Sequence, residues 1–165
     1  MAKALAYQAR TGEILSLVDA AQFLLEECRM VLPGIQALFG FQLIAVFNQR
    51  FSERLTHGEQ VLHLVALGLV ALAVAIIMTP AAVHRQISAQ TMSRAFLIAS
   101  TRLLLWSMLP LALAICIDFF LVGRLILGRG PVPTVLACVL FAVFLSLWFL
   151  LPRVRALRSA LGSED

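Results

Sequence analysis

Asp118 is the one acid inside an apolar run of this 165-residue chain. An ionisable group within a membrane-length apolar segment is expensive and marks a functional site by default. Its natural chemistry is proton carriage. A structural role is equally open to it. Asp118 lies near the end of its run, where a pairing with Arg124 or Arg50, or a bond to a Gln, would account for it. Gln36 and Gln42 lie in a second apolar stretch. An amide there seeks a partner on a neighbouring helix or lines a hydrated path with Asp118. His84 follows Pro80 by four residues and belongs to the residue type that titrates near neutral pH. It reads as a proton-responsive group or as an interfacial anchor. His57, Glu59 and His63 lack a fourth ligand and a zinc-like spacing, so neither a metal nor a cofactor is expected. Nothing resembles a nucleophile–base pair, a phosphate-cradling glycine loop or paired carboxylates. The chain reads as non-enzymatic.

A lipid bilayer must position these residues. Val61 to Ala82 contains no Asp, Glu, Lys or Arg, and a run of about 18 or more such residues crosses a ~30 Å hydrocarbon layer as a helix. Charged residues make up 13% of the chain and hydrophobic ones 61%. That charged share is about half the soluble norm. The formal charge of +4 reads as cytoplasmic loop charge rather than as a nucleic-acid surface. Cys28, Cys116 and Cys138 form no CxxC pair. They read as small apolar fillers rather than as a disulfide framework.

The expected class is all-α: a four-helix transmembrane bundle preceded by an N-terminal amphipathic helix. Residues 1–12 read as a loose tail. Over 13–32, Ile14, Leu17, Val18, Ala21, Leu24, Leu25, Cys28 and Val31 share one helix face. The other face is acidic, with Glu13, Asp19, Glu26 and Glu27 against Arg29. Such a helix lies in the headgroup plane or packs on protein. Pro33 lacks an N–H, so a break or kink is expected there. The transmembrane domain then spans 33–152, and 153–165 form a tail that is basic, then acidic. Gly68, Ala71 and Ala75 form a small-residue stripe for close helix approach. Pro80 is expected to end or bend the second span. Pro110 is expected to kink the third, with Ser107 compensating the freed carbonyl of Trp106. Arg102 stands at the mouth of the third span, where it can snorkel. Pro152 is expected to stop the fourth.

With four spans, Lys3, Arg10, Arg29, Arg85, Arg94, Arg153, Arg155 and Arg158, and Arg102 at the border, fall on one side. Arg50, Arg54, Arg124 and Arg129 fall on the other. The positive-inside rule then makes both termini cytoplasmic, and Trp106 and Trp148 form an aromatic belt at that interface.

Several motifs also carry a resemblance. Glu27-Cys28-Arg29-Met30 is followed by Gly34, Gln36, Leu38, Phe39 and Phe41, then Phe47, Arg50 and Phe51, then Pro80, His84 and Arg85. This pattern resembles a family of small bacterial four-span inner-membrane proteins of unknown function, some of which carry a sodium:proton antiporter label. Cys28, Met30 and Gln42 stand where that family's pattern has Leu, Val and Leu. The resemblance implies the four-span architecture and no mechanism. Three roles stay open. One is an accessory or structural subunit, packing with itself or with a larger membrane complex. The second is a proton- or cation-coupled transporter using Asp118, Gln36, Gln42 and His84. The third is a lipid or membrane-stress sensor acting through residues 13–31.

Overall fold

The computed structural model describes the backbone of residues 2–86 and 94–154, and the side chains of 19–49, 51–86 and 94–154. Five α-helices follow one another: α1 (Ala2–Val46), α2 (Gln49–Arg54), α3 (His57–Gln86), α4 (Arg94–Leu127) and α5 (Pro131–Leu145). A π-helical turn, Ser146–Leu150, carries α5 onward. Among the described residues four segments are long and apolar enough to cross a membrane: Asp19–Val46, His57–Gln86, Arg94–Leu127 and Pro131–Val154. The chain is an all-α, multi-pass membrane protein.

Its packing follows seven-residue seams. On α1 the buried positions are Ala21, Cys28, Ile35 and Gln42. On α3 they are His63, Val70 and Ile77, interleaved with Ala66, Ala73 and Pro80. On α4, Ser100, Ser107, Ala114 and Leu121 repeat the interval. A repeat of seven keeps one stripe of each helix on its neighbours when the helices cross at about 20°. The core is thus the α1–α3–α4 interface, centred on Cys28, Ile35, Ala66, Val70, Ile77 and Ala114. The α5 helix packs along α4 and buries only Pro133 among its own residues.

Element boundaries differ from expectation in several places. No break occurs at Pro33: α1 runs from Ala2 through it to Val46, so the helix of 13–32 continues into the first span and residues 2–12 are helical. Proline removes one backbone bond, and a long membrane helix with neighbouring support tolerates that. Pro80 does not end α3, which continues to Gln86. Pro110 lies buried within α4, where Ser107 Oγ donates to the carbonyl of Leu104 at 2.6 Å rather than to that of Trp106. Helix also continues past Pro152 to 154. The preceding turn widens to admit it: the Leu151 N–H reaches back five residues to Ser146 O. A π turn before a proline relieves the clash between its ring and the carbonyl four residues earlier. The stripe of Gly68, Ala71 and Ala75 faces outward. Close approach inside the molecule is made instead by Ala66, Ala73 and Ala114, each fully buried.

Candidate functional site

Polar side chains from three helices meet at the end of the core where α1, α2 and α3 connect. Gln42 is the last position of the α1 seam, and only 4% of it is exposed. Its Nε2 donates to Asp118 Oδ2 at 2.5 Å. His63 is the first buried position of α3. Its Nε2 lies 3.0 Å from the backbone carbonyl of Gln42, and its Nδ1 lies 3.4 Å from Asp118 Oδ1. The Phe51 ring packs edge-on against the imidazole at 5.2 Å. A cavity of about 260 Å³ adjoins the three polar groups, walled by Leu38, Phe41, Phe51, Leu55, Leu121 and Leu125.

This geometry limits where protons sit. A carbonyl oxygen only accepts, so His63 Nε2 must carry a hydrogen. Asp118 Oδ2 is the acceptor for Gln42. The remaining pair, Nδ1 facing Oδ1, therefore needs one shared proton: a neutral carboxylic acid against neutral imidazole, or a carboxylate against imidazolium. Asp118 Oδ1 and Gln42 Oε1 are otherwise buried and unbonded. A buried acceptor left bare costs ~1–3 kcal/mol, which favours holding the proton.

The expected residues divide cleanly. Gln42 and Asp118 converge, and the bond to a Gln, one of the partners expected for Asp118, is present. Gln36 is exposed on the opposite side of α1 and does not join them. His84 is half-buried, 21 residues along α3 from His63, or ~31 Å at 1.5 Å per residue. The anticipated pairing of Asp118 with Arg124 is absent. Arg124 turns to Glu59 instead, with Nε at 2.9 Å and Nη2 at 2.6 Å from Oε1. Glu59 is already committed there by a capping box: its Oε2 accepts from the Thr56 N–H and hydroxyl, and Thr56 Oγ1 accepts from the Glu59 N–H. Thr56-His57-Gly58-Glu59 is the sequence form of that box, and through it Glu59 has partners different from those of His63. Arg102 and Trp106 are exposed. Trp148 is half-buried, stacks on Phe144 at 4.6 Å, and lines a second cavity of about 410 Å³ with Cys28, Ile77 and Met108.

His63 is the member of the cluster that the sequence reading set apart from Asp118. Its signal was register: it stands seven residues before Val70 and fourteen before Ile77, on the buried stripe of the most apolar span.

Residues 20–152 match a family described as being of unknown function, DUF6328. The chain belongs to that family. The matched segment contains Gln42, His63 and Asp118 together, so the family's defining stretch includes the whole polar cluster. No curated protein and no solved structure matches the chain.

Proposed function

We propose that this protein is a small proton-coupled membrane carrier whose proton site is the Asp118–His63 pair. One observation carries the reading: an acid, an imidazole and an amide from three helices share a buried site that accommodates one proton. With the proton in place, α1, α3 and α4 are tied at this end. Its loss leaves a carboxylate facing a bare imidazole lone pair, a repulsion that loosens α4 from α3. The Ile35–Val70–Ala114 layer separates this cavity from the one beside Cys28 and Trp148. Transfer across requires that layer to part, and of the three helices that form it α1, with one buried residue per two turns, has least to lose by moving.

The arginine distribution supports an orientation with both termini cytoplasmic, and the resemblance to small bacterial membrane proteins is the support for placing it in a bacterial inner membrane. The proton site then opens toward the opposite face. No covalent chemistry is assigned. The test is proton flux into liposomes that entrap a pH-sensitive dye, under an imposed pH gradient. Wild-type protein is expected to dissipate the gradient, and Asp118→Asn, which keeps the bond to Gln42, to abolish that flux. No flux in wild type, or equal flux in the variant, overturns the proposal.

A second reading, an accessory subunit that packs with itself or with a larger complex, draws support from the outward stripe of Gly68, Ala71 and Ala75. Small residues on a lipid-facing stripe permit a neighbouring helix to approach. Native mass spectrometry of gently extracted protein separates the two readings: a strict monomer with no co-purifying partner removes the second.

A further inference from the structure

Beyond the polar cluster, the same end of the molecule holds a basic hollow of about 260 Å³ bounded by Arg54, Glu59, Arg124 and Arg129. Glu59 neutralises only Arg124. Among the described residues Arg54 and Arg129 have no hydrogen-bonding or ion-pair partner, which leaves two free guanidinium groups around one pocket. Through Arg54, Leu55 and Leu125 this hollow continues into another of about 400 Å³, floored by Ala45 and Phe51. Between Arg124 and Arg129 the helix exposes Leu125, Ile126 and Leu127, with Ile126 at 76%. Such residues sit at the level of lipid chains, which places the flanking arginines at headgroup depth.

We propose that this pair of hollows binds an anionic phospholipid, its phosphate between Arg54 and Arg129 and the start of an acyl chain over Ala45 and Phe51. Guanidinium groups pair with phosphate through paired N–H donors, and basic pockets at helix ends are suited to acidic headgroups. A free phosphate would satisfy the arginines yet leave the adjoining apolar hollow unfilled, so the combined shape favours the lipid. The proposal is independent of proton exchange at Asp118.

The experiment titrates delipidated full-length protein in detergent with phosphatidylglycerol or phosphatidylcholine and reads bound lipid by native mass spectrometry. Two basic contacts predict a preference for phosphatidylglycerol of about 30-fold. Arg54→Gln with Arg129→Gln is expected to abolish the preference by weakening phosphatidylglycerol far more than phosphatidylcholine, whose choline already cancels its phosphate charge, and Arg129→Gln alone to reduce it about fivefold. Both side chains are exposed and unpartnered, so an unchanged thermal unfolding midpoint is expected in each variant. Equal retention of the two lipids by wild type overturns the proposal, as does an undiminished preference in the double variant. Displacement of the lipid by excess inorganic phosphate would show a soluble-anion site and overturn it equally.

Discussion

At the scale of single residues, the chemistry of this end of the molecule is divided between two acids with different partners. Glu59 is bound to Thr56 and Arg124 at the end of α3, with its side chain 12% exposed. Asp118 is reserved for Gln42 and His63. Glu59→Ala removes the cap and strands a largely buried guanidinium, for an expected loss of about 2 kcal/mol in unfolding free energy. A double-mutant cycle with Arg124→Ala isolates the pair. A coupling of about 1 kcal/mol is expected in detergent unfolding, and a value near zero would mean that the cap alone accounts for the loss. This division of partners was only partly legible in the sequence. Asp118 stood out because charge inside an apolar run is costly wherever it occurs. Of the partners open to it, Arg124, Arg50 or a Gln, the fold makes the bond to a Gln, and it brings Gln42 rather than Gln36 from 76 residues away, a choice set by the packing of α1 against α4. The Thr56–Glu59 box was there to be read, but its pairing with Arg124, 65 residues away, was not.

At the scale of elements, the spans were legible because each is a continuous run with few charges, a property that depends on composition alone. Their ends were not, because three prolines suggest breaks that the helices do not make. A proline costs one backbone bond and a steric clash, and the structure absorbs each by local means, most visibly in the π turn ahead of Pro152. The small-residue stripe faces outward within the molecule, since smallness permits close approach without specifying which helix arrives. Gly123 shows the difference. It lies where α4 meets the start of α5, and a Cβ added there would stand 3.3 Å from Pro133 Cβ. Gly128, with φ of 76°, then closes α4 through its N–H bond to Arg124 O. Gly123→Ala is therefore expected to lower stability by about 1 kcal/mol through overpacking. Gly68→Ala meets nothing within 4 Å and is expected to raise it by roughly 0.5 to 1 kcal/mol through helix propensity. Thermal unfolding of both variants in one detergent compares them directly. A destabilised Gly68→Ala would point to a partner helix on the outward stripe.

For the molecule as a whole, the long helices set the polarity of the site. Helices of 30 and 34 residues, α3 and α4, measure about 45 and 51 Å at 1.5 Å per residue. Both exceed a ~30 Å hydrocarbon layer, so their ends stand in the headgroups and water. The Gln42–His63–Asp118 cluster and the free arginines lie at the ends joined by α2 and by the α4–α5 turn, while His84 and Trp148 lie toward the other. Alternation of four spans makes those two connections share a face, and in the proposed orientation, which the arginine count supports, that face is the outer one. The polarity of proton entry therefore depends on topology and can be tested separately from flux. With Cys28, Cys116 and Cys138 replaced by Ala, single cysteines at Ser52, Gly130 and Ser163 report the three positions in intact cells. A membrane-impermeant maleimide is expected to label the first two directly and Ser163→Cys only after permeabilisation. Labelling of Ser163→Cys alone would invert the molecule and turn the acid–imidazole pair toward the cytosol. Labelling of Ser52→Cys and Gly130→Cys from opposite sides would break the four-span topology, because no even number of crossings separates α2 from the α4–α5 turn in that case.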